Sequence, residues 1–270
     1  MKIPMTEFLE KYFSAFYPIS ANYDLYPELT FIAANSFPDQ LFSLLKLCKN
    51  NINNELVSIN DFSEGSDDAR LASLFNKYGS DKEVVHGYSR IYGKILNSIN
   101  RDEIHIFEIG IGTNNPNAIS TMGAGGKPGA SLRAFRDYAP GFYVYGADID
   151  RNILFSEERI QTSFIDQTKY ETYSEAAKNF NKNCFDIIID DGLHSPLANI
   201  NTLIYGLNAV NNGGYIIIED ISAHSRAIWD IIKNVLPIEK FDTYLISRDI
   251  KIGGYIFIVH KKLETYGNPD

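Results

Sequence analysis

The stretch Ile104-His105-Ile106-Phe107-Glu108-Ile109-Gly110-Ile111-Gly112 decides the fold. Its opening run is short, mostly apolar and rich in β-branched side chains, the composition of a strand buried on both faces. Two glycines one residue apart then release the chain into a tight turn at the strand's carboxyl end. Four further runs of the same kind follow: 142–147 ending at Asp148, 160–165 ending at Asp166, 185–189 ending at Asp190-Asp191, and 214–218 ending at Glu219-Asp220.

Helical patterning separates these runs, over 131–138, 173–180 and 196–207. Strands alternating with helices build right-handed βαβ units and a parallel sheet. The last two runs, 241–247 and 255–260, flank a short turn with Gly253-Gly254, which predicts an antiparallel hairpin. The expected fold class is α/β: a doubly wound Rossmann-like sheet, mostly parallel with a C-terminal antiparallel hairpin, plus an N-terminal helical segment.

Upstream of the first strand the pattern changes. Phe8, Leu9, Tyr12, Phe13 and Phe16 recur at helical spacing, as do Leu41, Leu44, Leu45 and Cys48, before the Asn-rich stretch 50–54 loosens it. These stripes fit helix packing, a substrate lid or a contact between copies in a homo-oligomer. The chain is accordingly divided into a helical accessory segment, 1–75, and a cofactor-binding domain, 76–270. Asp67 or Asp68 is expected to cap a helix running to Tyr78, with Gly79 as its left-handed stop. Ser80 and Glu83 match a capping box, predicting one helix onward to Ile99, with Gly79-Ser80-Asp81-Lys82 as the tight link.

Five successive strands ending in a carboxylate carry the chemistry. Ligands of an open α/β sheet bind at the carboxyl ends of its strands, so these groups converge on one rim. Like charges gathered there repel unless cations or hydrogen-bond donors offset them. A dinucleotide is a poor fit, because Glu108 repels a pyrophosphate and Asn115 stands where the third glycine of the fingerprint belongs. S-adenosylmethionine fits: it brings an ammonium, a sulfonium and a ribose diol, with no phosphate. Glu108, Gly110 and Gly112 form its turn, Asp148 accepts from the ribose, and Asp166 with Gln167 faces the adenine amino group. Ser131, Ile149 and Asp190 complete the expected cofactor set. The long glycine-rich loop 113–130 reads as a flap over the donor's methionine end or the acceptor.

Asp190-Asp191-Gly192-Leu193-His194 and Ile218-Glu219-Asp220 follow adjacent strands. Asp191, Glu219 and Asp220 are placed to share one hard divalent cation, and an all-oxygen set with waters left over suits Mg²⁺, not zinc. His194, three residues beyond Asp191, is the candidate general base, with an ordinary pKa near neutrality. The cation acidifies an acceptor hydroxyl, and the enzyme aligns oxygen, methyl carbon and sulfur.

These motifs, with Asp148, resemble the metal-dependent sugar O-methyltransferases of macrolide biosynthesis, over roughly residues 70–260. The resemblance implies a class I methyltransferase fold, Mg²⁺ on Asp191, Glu219 and Asp220, His194 as general base, and cofactor contacts from Asp148 and Asp166. Gly79-Ser80-Asp81-Lys82 and His86-Gly87-Tyr88 resemble the family's helical lead-in, which puts Tyr88 near the cofactor entrance. Leu193 departs from the small polar residue expected there. The Asn-, Ile-, Lys- and Tyr-rich composition fits an AT-rich bacterial genome, and with it an acceptor on a capsular sugar or capsular phosphoramidate group. Two other readings stay open. One is a cephalosporin-hydroxylase-like metal-dependent oxidoreductase, and the other a non-catalytic protein that binds S-adenosylmethionine.

Composition sets the outer limits. With 270 residues, 44% hydrophobic and 13% aromatic, the chain suits a packed globular protein. A formal charge of −9 argues against a nucleic-acid partner and leaves a small-molecule or glycosyl acceptor. No apolar run approaches the roughly 20 residues of a membrane span. The opening Met1–Glu7 lacks a leader's apolar stretch. Cys48 and Cys184 have no metal-ligand spacing and are expected to be buried thiols in a reducing cytoplasm.

Overall fold

The computed structural model describes residues 26–48, 52, 53, 55–61, 66–248 and 254–263. The aromatic stripe from Phe8 to Phe16, most of the Asn-rich stretch and Gly253 lie outside the described residues. In chain order the helices are α1 (Tyr26–Cys48), α2 (Ser66–Tyr78), α3 (Asp81–Val84), α4 (Ser89–Ser98), α5 (Ala130–Tyr138), α6 (Glu171–Phe180), α7 (Pro196–Ala209) and α8 (Arg226–Val235). The strands are β1 (Leu56–Ser58), β2 (Ile104–Ile109), β3 (Phe142–Asp148), β4 (Ser156–Glu157), β5 (Ile160–Phe164), β6 (Phe185–Asp190), β7 (Val210–Ile221), β8 (Phe241–Ser247) and β9 (Tyr255–Lys261).

The nine strands make one sheet in the order β1-β8-β9-β7-β6-β2-β3-β5-β4. β2 lies parallel between β3 and β6, while β5 and β7 extend the parallel core outward. The terminal hairpin forms as expected, and its second strand β9 inserts antiparallel between β7 and β8. From β2 the chain winds one way to β3 and β5, then returns to β6 and β7 on the other side. The crevice at that reversal opens at the carboxyl ends of β2 and β6. β7 is longer than the 214–218 read from sequence, and a register shift against β6 between Phe185 and Ile187 absorbs its start. β1 and β4, three and two residues long, are too short to show a period in sequence.

Side chains alternate across β2, and each face has its own aromatic packing. Toward α2, α4 and α5, Phe75, Tyr92 and Phe135 meet edge to face, with Phe135 centroids 5.4 and 5.2 Å from those of Phe75 and Tyr92. On the other face Phe107 packs on Phe185 and Phe180 at 4.9 and 5.6 Å. Ile106 and Phe107 are both fully buried, so a one-residue slip of β2 would exchange the two packings.

Three local expectations need correction. α2 is described from Ser66, so the backbone at 67 and 68 is already helical, not a cap position, and Asp68 is buried against Gly93. Ser80 caps a single turn only, accepting from Lys82 N at 3.4 Å. The helix toward Ile99 restarts at Ser89, because Gly87 takes φ +64° and breaks the run. Gly79 does end α2 at φ +77°. Cys48 and Cys184 are exposed, since one closes the last turn of α1 and the other lies in the loop between α6 and β6, outside the packed interiors.

The described residues form two compact units. The smaller comprises α1, Asn53 and Ala227–Val235, in which Asn234 accepts from Asn53 N at 2.9 Å. In α1 most of the expected stripe faces outward: Leu41, Leu44 and Cys48 are exposed and Leu45 half-buried, while Phe42 is buried. Apolar residues surround this end of the helix, so helical spacing alone does not choose the inward side. The larger unit holds the sheet and the remaining helices. Among the described residues no helix is long and apolar enough to cross a membrane.

Candidate active site

A cavity of about 530 Å³ opens along the carboxyl ends of the parallel strands. Its floor is the turn after β2. Gly110 has φ +88°, and a Cβ there would stand 2.1 Å from the Asp191 carbonyl oxygen, so the glycine turn and the loop after β6 touch backbone to backbone. Asp148, ending β3, accepts from Ile111 N at 3.0 Å and from Asp150 N at 2.9 Å. Burial raises the Asp148 carboxyl, and these amides pull against that shift. Asp166 receives Lys169 Nζ and Thr168 Oγ1, both at 2.6 Å, and burial is outweighed there, so its carboxyl falls below the ordinary value.

The loop after Gly112 is tied to itself and to the floor. Thr113 O accepts from Met122 N at 3.0 Å, Thr113 Oγ1 donates to Asp150 at 2.6 Å, and Asn114 Nδ2 donates to Gly126 O at 3.0 Å. Asn117, Ile119 and Met122 from this loop line the cavity opposite the strand ends.

The loops after β6 and β7 bring Asp191, His194 and Asp220 together at the cavity wall, with one potential ligand atom from each within 4.8 Å of the others. His194 and Asp220 carry φ of +54° and +53°, the left-handed region that few non-glycine residues occupy and that Asn, Asp and His enter most readily. Backbone strain of this kind costs on the order of 1–3 kcal/mol per residue and persists where surrounding contacts enforce it. Here it turns both side chains into the cavity. His194 Nε2 is 4.0 Å from Asp191 Oδ1. Asp220 Oδ1 accepts from Tyr88 at 2.8 Å and from Arg248 at 2.7 Å, and His86 stacks on Tyr88 with Nε2 3.8 Å from Asp220 Oδ2. Burial raises the Asp220 carboxyl, but His86, Arg248 and Tyr88 together hold it below the ordinary range, so it is ionised.

Lys82 reaches the centre of this half from α3. Its Nζ lies 2.6 Å from Glu219, 2.7 Å from Asp191 and 3.2 Å from Glu108. Tyr92 donates to the other Glu219 oxygen. Burial pushes the Glu219 carboxyl well up, opposed by Lys82 and reinforced by the neighbouring carboxylates.

The structure separates the expected residues into two layers. Gly110, Gly112, Ser131, Asp148, Ile149, Asp166, Gln167, Asp191, His194 and Asp220 line the cavity. Glu108, Asp190, Glu219 and Tyr88 are buried behind it, at 0, 0, 1 and 0% exposure. Glu108 accepts from Ser131 at 2.8 Å, and Asp190 accepts from Gln167 at 2.8 Å and Asn199 at 3.1 Å. Gln167 also accepts from Leu193 N at 2.7 Å, which steadies the loop carrying Asp191 and His194. Sequence reasoning missed Lys82, Tyr92 and Arg248. Lys82 enters the sequence reading only as part of a helix link, and nothing local in the sequence points its ammonium at carboxylates 109 and 137 residues away.

The protein-family models searched give no match to the chain. It is 30% identical over 159 residues to the 8-demethyl-8-alpha-L-rhamnosyl tetracenomycin-C 2'-O-methyltransferase of Streptomyces olivaceus, covering 59% of this chain and 39% of that protein. It is 29% identical over 159 residues to the mycinamicin VI 2''-O-methyltransferase of Micromonospora griseorubida, covering 58% and 37%. The chain thus spans about two fifths of the length of the curated relatives it matches. Among solved structures it superposes on the MycE methyltransferase of the mycinamycin pathway, in complex with Mg, SAH and mycinamycin VI. The TM-score is 0.56 at 21% identity, covering 74% of this chain and 57% of that one. The chain has the class I methyltransferase fold.

Proposed function

We propose that the protein is an S-adenosylmethionine-dependent, Mg²⁺-assisted O-methyltransferase acting on a hydroxyl of a glycosyl acceptor. One observation carries the reading: the Asp191–His194–Asp220 cluster opens into the same cavity as the glycine turn and Asp148. The named activities of the curated relatives, all O-methyltransferases, support it.

The residues present fit both groups. A wall with Asp148 and Asp166 facing the cavity and backbone amides at its floor suits a ribose and an adenine amino group. Asp191 and Asp220 face the cavity with oxygens that suit a hard cation, and Glu219 can join them if Lys82 yields its oxygen. When bound, the donor supplies an electrophilic methyl and the cation supplies Lewis acidity toward the acceptor hydroxyl. His194 takes the hydroxyl proton at an imidazole nitrogen. Its Nδ1 is buried without a protein partner and its Nε2 faces Asp191. The loop 113–130 screens the reacting atoms from water, and Gln167 and Asp190 keep the His194 loop in place. Tyr88 acts behind the wall by holding Asp220.

The acceptor is assigned to a sugar of a surface polysaccharide or its precursor, with a capsular phosphoramidate as the narrower form. With His194 kept as the base, the cluster offers the cation carboxylate oxygens from Asp191 and Asp220 and no histidine pair, which favours Mg²⁺ over the iron of a hydroxylase. Calorimetry with S-adenosylhomocysteine tests the reading first, since a hydroxylase shows no affinity. Methyl transfer to glycosides, nucleotide sugars and capsular intermediates, with Mg²⁺ and with chelator, tests the rest. A protein that binds no S-adenosylhomocysteine is not this enzyme.

A further inference from the structure

The ammonium of Lys82 has no part in the chemistry above, yet among the described residues it is the most enclosed cation of the rim. It is 1% exposed and touches carboxylates from three strands: Glu108 of β2, Asp191 just beyond β6 and Glu219 of β7. Three carboxylate oxygens within 3.2 Å of one ammonium surround it with the negative charge that pairs with a cation. The backbone fixes it there: Ser80 caps the turn, and Tyr88 N donates to Lys82 O at 2.8 Å.

Such a fixed charge has two consequences. It offsets the mutual repulsion of carboxylates that water cannot screen. It also occupies oxygens of Asp191 and Glu219 and repels a second cation approaching them.

We propose that Lys82 is a built-in counter-ion that keeps the acidic rim assembled without metal and competes with a divalent cation for Asp191 and Glu219. The ion therefore binds weakly and exchanges. This inference rests on the cation half of the reading above and not on methyl transfer.

Mn²⁺ binding, measured by paramagnetic resonance and calorimetry without donor or acceptor, tests it in the wild type and in Lys82→Met, Lys82→Gln and Lys82→Arg. The two neutral variants should bind Mn²⁺ at least about tenfold tighter, and the arginine variant within about threefold of wild type. Without metal, Lys82→Met should melt earlier than wild type, and saturating Mn²⁺ should restore most of the loss. Unchanged or weaker Mn²⁺ affinity in a folded neutral variant overturns the proposal. So does a wild type that binds no Mn²⁺. Neutral variants that stay unfolded with Mn²⁺ present also overturn it, because the ion should replace the missing charge. Absence of methyl transfer leaves the proposal standing, and failure of these titrations leaves the methyltransferase reading standing.

Discussion

The two halves of the acidic rim handle the same electrostatic problem differently. Across β3 and β5, Asp148 is held by backbone amides and Asp166 by amide, hydroxyl and one exposed lysine. Across β6 and β7, Asp191, Glu219 and Asp220 are held by buried Lys82 and Arg248, with Tyr88 and Tyr92. Amides offer partial charges and leave carboxylate lone pairs for a neutral hydroxyl or amine. Full charges are needed where carboxylates crowd, since two like charges about 4 Å apart repel by roughly 4 kcal/mol at an effective dielectric near 20. The first half thus suits a ribose and a purine, and the second a cation and a proton transfer.

Predictions follow from that division. The largest effect is His194→Ala, which should lower methyl transfer by about a thousandfold while S-adenosylhomocysteine affinity stays within about twofold. Equal loss of both would erase the division of labour. Gly110→Ala strikes the seam: its Cβ would lie 2.1 Å from Asp191 O at a φ of +88°. It should cost about 2–3 kcal/mol in denaturant unfolding and weaken donor and Mn²⁺ binding together. Asp148→Asn should weaken S-adenosylhomocysteine by about tenfold, near 1.4 kcal/mol, and leave Mn²⁺ affinity alone. A shift in Mn²⁺ binding would show that the halves are not independent.

The smallest effect lies outside both halves. Burial pushes Asp137 upward, but hydrogen bonds from Tyr78 and Arg136 and the Arg136 charge bring it down to about 2. A depressed carboxylate stabilises the fold above its unfolded pKa, and that contribution fades as pH falls from 3.8 toward about 2. Asp137 is partly exposed, so Asp137→Asn should cost no more than about 1 kcal/mol at neutral pH. The difference between variant and wild type should close below about pH 2 in acid titrations of unfolding.

Much of the fold was legible because buried parallel strands announce themselves. Ile104–Ile109 and Phe185–Asp190 are largely apolar runs with a carboxylate at the last or next-to-last position, and both became central strands. The cavity-facing residues were legible for the same reason, since strand ends face the crevice whatever the intervening helices do. What escaped was depth. Glu108 and Asp148 both stand at the carboxyl end of a strand, one residue short of it and on its last residue, but one is walled in behind Ser131 and the other lines the cavity. The expectation that bound ligands offset the acids also overlooked cations from the chain itself. Lys82 precedes β2 by more than twenty positions and Arg248 follows β8, so only the folded topology joins them to the rim.

The margins of the sheet carry a consequence of their own. Among the described residues its outermost strands are stubs of three and two residues, and Glu157 on the shorter one is paired with Arg133 and Arg136. A long bare margin offers rows of unsatisfied amides onto which another polypeptide can anneal, and brevity plus charge denies that foothold. Backbone zippering at these margins, the route to fibrils, is disfavoured by construction.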